Sequence, residues 1–228
     1  MIMEKILIVA AHPDDETLGC GGVISKYISE GSKIKILVLG EGSTCRYEDI
    51  DSKQAKLALE ERNYNAMLAL QELGIDDFDF VNLPCGRFDQ VPILNINKIL
   101  ERVIREFKPD TIFTHSEHDS NNDHRIVFRS TIMAARPCGE HIVSRLFSYE
   151  VPSSSEWSYS DVFRPNYFVA LTEKHLGTKW SALEQYKGEM REFPFPRSWT
   201  GIKTLARQRG MQSGVIYAEA FLLIRGFE

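Results

Sequence analysis

The sequence predicts an α/β fold: a doubly wound, mostly parallel sheet with helices on both faces, formed by residues 1–228 as a single domain. Three observations point there. Short apolar, β-branched runs alternate with longer amphipathic stretches over the first 136 residues, the pattern of β-α-β units joined by right-handed crossovers. With 228 residues and 43% hydrophobic content, the chain suits one core. No repeat, low-complexity tract or linker divides it.

Residues 5–10 read as a buried strand, because the run from Ile6 to Ala10 is continuously apolar. Residues 16–30 read as a helix ended by Gly31, and residues 33–39 as the next strand. A polar loop runs from Gly40 to about Asp51. Residues 52–73 carry a long amphipathic pattern stopped by Gly74, and Phe78 to Leu83 is a short strand before Pro84. A helix over 94–107 stops before Pro109, Thr111 to Thr114 is a strand, and a helix over 123–136 ends at Pro137. The last 80 residues are less regular. Strands are expected at 146–151 and 167–171, helices at 172–189 and 198–210, and a helix or strand at 218–224.

Composition narrows the function. A net charge of −5 argues against nucleic-acid binding. No window reaches the roughly 18–20 apolar residues of a membrane span, and Glu4 and Lys5 interrupt any secretory leader. Cys20, Cys45, Cys85 and Cys138 form no Cys-x-x-Cys pair, so they read as reduced thiols in a cytoplasmic protein rather than as a thiolate zinc site. The expected partner is a small molecule, with a homo-oligomer as a further possibility.

Two polar clusters each follow a probable strand. The first is Ala11-His12-Pro13-Asp14-Asp15-Glu16; the second is Asp119-Ser120-Asn121-Asn122-Asp123-His124. Strand ends of this kind are where open α/β sheets place their chemistry. Histidine nitrogen and carboxylate oxygen are zinc ligands, and a catalytic zinc takes three protein ligands and keeps one position for water. His12 and Asp15 are placed to aim at one point, with His124 as the third ligand from the second loop. Asp14 lies beside them as a general base for water. The competing reading makes Asp14 or Asp15 a helix cap, Glu16 a partner of the helix dipole and His12 a hydrogen-bonded turn residue. The conjunction of histidine, carboxylates and a second cluster favours the metal. Asp119 and Asp123 are read as carboxylates that orient imidazoles or as helix caps, Asp123 also as a substrate contact. His115 is read as a substrate contact or an ordinary strand-end histidine. Gly19, Gly21 and Gly22 do not form a dinucleotide fingerprint and are assigned to close helix packing or room for substrate.

The strand, the Ala-His-Pro-Asp-Asp-Glu motif, the following helix and the distant Asp-x-Asn-x-Asp-His together resemble the PIG-L/LmbE family of zinc-dependent N-acetylglucosamine deacetylases. The likeness is strongest over 5–40 and 109–128. It extends to a second helix from Arg62 to Gly74 and to the segment Arg209–Phe221. The resemblance implies a Rossmann-like fold, with zinc on His12, Asp15 and His124 and Asp14 as the base. It also implies Arg46 as a substrate contact, with a solvated surface arginine as the alternative. Two positions depart from the family pattern. Asn121 stands where many members carry a histidine that helps stabilise the oxyanion, and Asn65 stands where many carry a glutamate. Asn121 is still read as a substrate contact, but an amide donates a hydrogen bond without charge, so His115, His118 or Arg46 is left to supply it.

Phe193, Phe195, Trp199 and Tyr217 are assigned to packing, with sugar stacking as the alternative. Arg191, Arg197, Arg207 and Arg209 are assigned to solvated charge, with phosphate binding as the alternative. The expected activity is hydrolysis of the N-acetyl group of a GlcNAc-type sugar or glycoconjugate, releasing acetate and amine. The expected cofactor is Zn2+, with Fe2+ also suited to the ligands. Two other classes compete: a metal-dependent phosphoesterase and a non-catalytic zinc- and sugar-binding protein.

Overall fold

The computed structural model describes residues 3–228. Seven strands form one sheet in the order β3-β2-β1-β4-β5-β7-β6. They are β1 (Lys5–Ala10), β2 (Lys33–Gly40), β3 (Asp77–Leu83), β4 (Thr111–Thr114), β5 (Arg145–Tyr149), β6 (Tyr167–Leu171) and β7 (Tyr217–Gly226). The first five are parallel. β7 runs antiparallel to β5 and carries β6 antiparallel on its outer side.

Side chains alternate across a strand, so β1 feeds two cores. Ile6, Ile8 and Ala10 face the layer of α1 (Asp15–Ser29), α2 (Lys53–Glu72), α5 (Glu173–Glu184) and α6 (Trp199–Ser213). Leu7, Val9 and Ala11 face α3 (Ile93–Phe107) and α4 (Asn122–Ala134). These six residues are fully buried, and each large aliphatic among them contributes roughly 1.5–3 kcal/mol by leaving water. Burial on both faces explains why β1 reads as an unbroken apolar run.

The glycine-rich stretch of α1 serves packing. A Cβ at Gly19 would lie 2.3 Å from the Tyr149 ring, and one at Gly22 would lie 2.4 Å from Leu171. Glu219 of β7 accepts hydrogen bonds from Gly22 N and Val23 N at 2.9 and 2.7 Å and pairs with Lys179 of α5 at 2.7 Å. A buried ion pair thus joins α1, α5 and β7.

The segment expected as helix or strand is strand, Tyr217–Gly226, because it completes the sheet between β5 and β6. The C-terminal third departs from expectation at the ends of two helices. α6 runs past Gly210 to Ser213 and is capped by Gly214 at φ 76°. α5 ends at Glu184 rather than 189: Gly188 takes φ 84°, Tyr186 turns into the core, and Glu189 is left on a loop.

The chain leaves β1 in one direction through α1 and α2, and leaves β4 in the other through α4. Strand order therefore reverses between β1 and β4, and a crevice opens at their carboxyl ends. The loops after these two strands carry the two polar clusters.

Candidate active site

His12 follows β1, and His124 lies in the first turn of α4, brought back by the loop after β4. His124 Nε2 stands 3.3 Å and His12 Nδ1 3.5 Å from Asp15 Oδ2. Ligand atoms of His12, Asp15 and His124 all lie within 4.8 Å of one another, and all three residues are buried. Each imidazole is backed by a carboxylate on its other nitrogen. Asp123 Oδ2 is 3.0 Å from His12 Nε2, and Asp119 Oδ1 is 3.2 Å from His124 Nδ1. This carboxylate–histidine arrangement is the one that sets ring orientation and tautomer around metals. Two neutral-capable nitrogens, each ring braced from behind, and one carboxylate oxygen fit a divalent cation of the zinc or iron type.

The charges follow the geometry. Burial opposes charge on both imidazoles, yet the Asp123 and Asp15 carboxylates push His12 up to about 9. Asp15 and Asp119 push His124 up to about 10 against the same burial. Burial likewise opposes ionisation of Asp15, but the neighbouring His124 and His115 hold it well below the usual carboxylate range. A cation held here would have to displace protons from the two rings.

Asp14 occupies a strained position, φ 108° and ψ −25°, at the N-terminus of α1, and its side chain caps nothing. A non-glycine residue in this region costs on the order of 1–3 kcal/mol and requires strong surroundings. Those surroundings are visible. Arg62 Nη2 donates to Asp14 Oδ2 at 2.6 Å and to Pro13 O at 2.6 Å. Arg197 Nη1 donates to the same Oδ2 at 2.8 Å. The Asp14 backbone N–H donates to Glu16 Oε2, whose other oxygen accepts from Tyr186 and Thr17. Burial pushes the Glu16 carboxyl up to about 7. No protein group among the described residues hydrogen-bonds Asp14 Oδ1, leaving that oxygen for a ligand.

Glu189 completes a network across the cavity. It pairs with Arg62 at 3.0 Å and Arg46 at 2.5 Å, and lies 3.7 Å from Arg197. The cavity of about 170 Å³ is lined by His12, Asp15, His124, Asp14 and the three arginines, with Asn121 also on its wall.

The structure thus gathers His12, Asp14, Asp15, His124, Arg46 and Asn121 around one space. His115 and Asp123, each read as a substrate contact or a supporting residue, lie deeper than these. His115 is fully buried behind the cluster, where Nε2 accepts from Ala11 N at 2.8 Å and the ring stacks on His124 at 4.0 Å. Asp123 is also fully buried, held by Gly86 N at 2.6 Å and Phe88 N at 3.2 Å while it braces His12. Asn121 caps α4, its Oδ1 accepting from Asp123 N at 2.9 Å. His118 is turned outward onto Glu117 and Asp161. Of the three cations considered for the charge missing at Asn121, only Arg46 reaches the cavity. Arg197 reaches it too, which corrects its assignment to solvated charge. Arg209 is likewise paired, with Glu150. Trp199 packs on Trp180 and Tyr217 is buried, whereas Phe193 is exposed. Glu189, Tyr186 and the bridging role of Arg62 had no local signal: each acts on a residue far away in the chain.

Fold and site together define an α/β enzyme with a His/Asp/His cluster suited to a cation at the sheet's switch point and an arginine-held aspartate beside it. The chain belongs to the PIG-L family, GlcNAc-PI de-N-acetylases, whose family model matches residues 7–135. Its members are amidohydrolases. It is 27% identical to an uncharacterised deacetylase, YaiS, of Escherichia coli K12, over 80% of this chain and 90% of that one. It is 25% identical to the diacetylchitobiose deacetylase of Thermococcus kodakarensis, over 98% and 84%. The fold is shared with the 4-carboxy-2-hydroxymuconate hydratase GalB of Pseudomonas putida KT2440, at TM-score 0.79 and 22% identity over 99% of this chain and 98% of that one. A hydratase on the same fold is a reminder that the site, not the sheet, decides the chemistry. No helix among the described residues is long and apolar enough to cross a membrane.

Proposed function

We propose that this chain is a zinc-dependent N-deacetylase that hydrolyses the N-acetyl group of a GlcNAc-type amino sugar or glycoconjugate. The observation that carries the reading is the convergence of His12, Asp15 and His124 within 4.8 Å, with the arginine-held Asp14 on the same cavity wall. The names of the relatives and the unpaired cysteines, which suit the reducing cytoplasm, agree with it.

His12, Asp15 and His124 would hold the cation, which when bound would polarise an amide carbonyl and lower the pKa of water. Asp123 and Asp119 orient the two imidazoles. Asp14 takes the proton of the attacking water at Oδ1 and returns it to the departing amine. Arg62 and Arg197 fix the carboxylate through Oδ2, so the free oxygen faces the substrate. Arg197 and Arg46 supply the positive charge that Asn121 lacks as the carbonyl oxygen becomes anionic. Glu189 spaces the guanidinium groups by pairing with each side.

The phosphoesterase alternative usually uses a second metal. The other close ligand group, His12, Cys85 and Asp123, shares His12 with the first and is not an independent site. The test is an assay of the zinc-loaded enzyme on a panel of N-acetylated sugars, free and conjugated, measuring released amine and acetate. Equimolar amine and acetate are expected from at least one GlcNAc-bearing compound. Release of phosphate from sugar phosphates with no amine from any panel member would overturn the reading.

A further inference from the structure

Cys45 and Cys85 are 40 residues apart in sequence, yet the Cys85 thiol donates to Cys45 Sγ at 3.1 Å. Neither is in a disulfide; Cys45 is exposed and Cys85 is buried. Their meeting is built into the backbone. Glu41 accepts from Ser43 N at 2.7 Å and Thr44 N at 2.9 Å on the Cys45 loop, and from Cys85 N at 2.7 Å on the other. Gly86 adopts φ 71°, and a Cβ there would stand 3.5 Å from Cys45 Cβ. Both cysteines line the active-site cavity, so a small oxidant that enters it meets them.

We propose that Cys45 and Cys85 are a redox-modification site, oxidised by a small hydroperoxide to a disulfide that spans the cavity wall and is reopened by cellular thiols. The inference goes beyond the deacetylase reading and does not depend on it. The exposed Cys45, as thiolate, attacks the terminal peroxide oxygen; the O–O bond breaks, giving a sulfenic acid and an alcohol or water. Cys85, as thiolate, then attacks the Cys45 sulfur. The S–S bond forms, and hydroxide leaves and is protonated to water. Two thiols and one hydroperoxide thus yield one disulfide, one alcohol and one water, with two electrons passing from the sulfur pair to the peroxide. The bond ties the loop after β2, which carries Arg46, to the loop after β3. Gly86 of that second loop holds Asp123, and Asp123 holds His12. The closed loop also restricts the unfolded chain.

The test uses the full, metal-loaded chain, reduced and then freed of reductant, and treated with hydrogen peroxide. Two of the four thiols are expected to disappear and to return with dithiothreitol. Peptide mapping is expected to join the Cys45 and Cys85 peptides within one chain, and the thermal midpoint to rise in the wild type but not in Cys45→Ser. Cys85→Ser is expected to hold Cys45 as a sulfenic acid that dimedone traps. Cross-links through Cys20 or Cys138, bonds only between chains, or survival of both Cys45 and Cys85 thiols under peroxide that oxidises Cys138 would each overturn the proposal.

Discussion

The two ends of this chain meet at one cavity but contribute different things. The N-terminal part, through α4, supplies His12, Asp15 and His124, whose polar atoms lie within 4.8 Å of one another, and the carboxylates behind them. Each sits in the loop after a parallel strand or in the first turn of the helix that loop feeds, so its position follows from local structure. The C-terminal part supplies Tyr186, Glu189 and Arg197 from α5's trailing loop and the segment before α6. These touch Asp14 and its supports across long stretches of chain: Arg197 and Asp14 are 183 residues apart. One part carries the His–Asp–His cluster, and the other helps to hold Asp14. The lesson is that a motif marks where chemistry happens, while the groups that set its precision come from wherever packing delivers them.

This division is open to attack, most sharply at Asp14. Asp14→Asn keeps the ligand set and is expected to retain metal while kcat falls about 10²–10⁴-fold. Metal content and steady-state rates on the best panel substrate check it, and near-full turnover would remove Asp14 from its role. Asp123→Asn tests the N-terminal part. Loss of the charge behind His12 is expected to weaken metal affinity about 10–100-fold, read by competition with a chelator. Unchanged affinity would mean that Asp123 serves only to hold the loop at Gly86.

Arg197→Ala tests the C-terminal part. Metal affinity is expected to stay within error while kcat falls, on the order of tenfold to a hundredfold, because the base is less well positioned. If metal were lost as well, the two parts would not be separable. The smallest expected effect concerns pH and the metal-stripped chain. His12 and His124 bind protons more tightly folded than unfolded, with values of about 9 and about 10 against 6.5. Their stabilising contribution is therefore complete below about pH 6.5 and is lost as pH rises through 9 to 10. Denaturant midpoints of the stripped protein are expected to fall across that window, and zinc is expected to flatten the slope by replacing the protons. A midpoint that rises with pH would contradict the charges assigned to the cluster.

Much of the N-terminal part was legible because its signals are local. β1 is apolar throughout because both its faces are covered, and Pro13, Gly31 and Gly74 punctuate the elements that follow. The C-terminal third was harder for a physical reason. Residues 217–226 pair antiparallel on both sides, a state no short window announces, and α5 stops where Tyr186 is drawn inward to Glu16. His115 and Asp123 illustrate the same limit within the site. Their residue types allowed either contact with substrate or a supporting place, and the depth at which they lie, set by how α4 packs on β1 and β4, is visible only in the structure.

By itself the chain determined the alternation of strands and helices, the crevice at the carboxyl ends of β1 and β4, and the His–Asp–His set, because apolar periodicity and turn chemistry act over a few residues. Only the tertiary structure decided that Arg62 and Arg197 grip one oxygen of Asp14, that Glu189 stands between arginines, and that Cys45 lies against Cys85. Those pairings depend on how loops from opposite ends of a seven-stranded sheet pack against each other, and packing is a property of the whole chain.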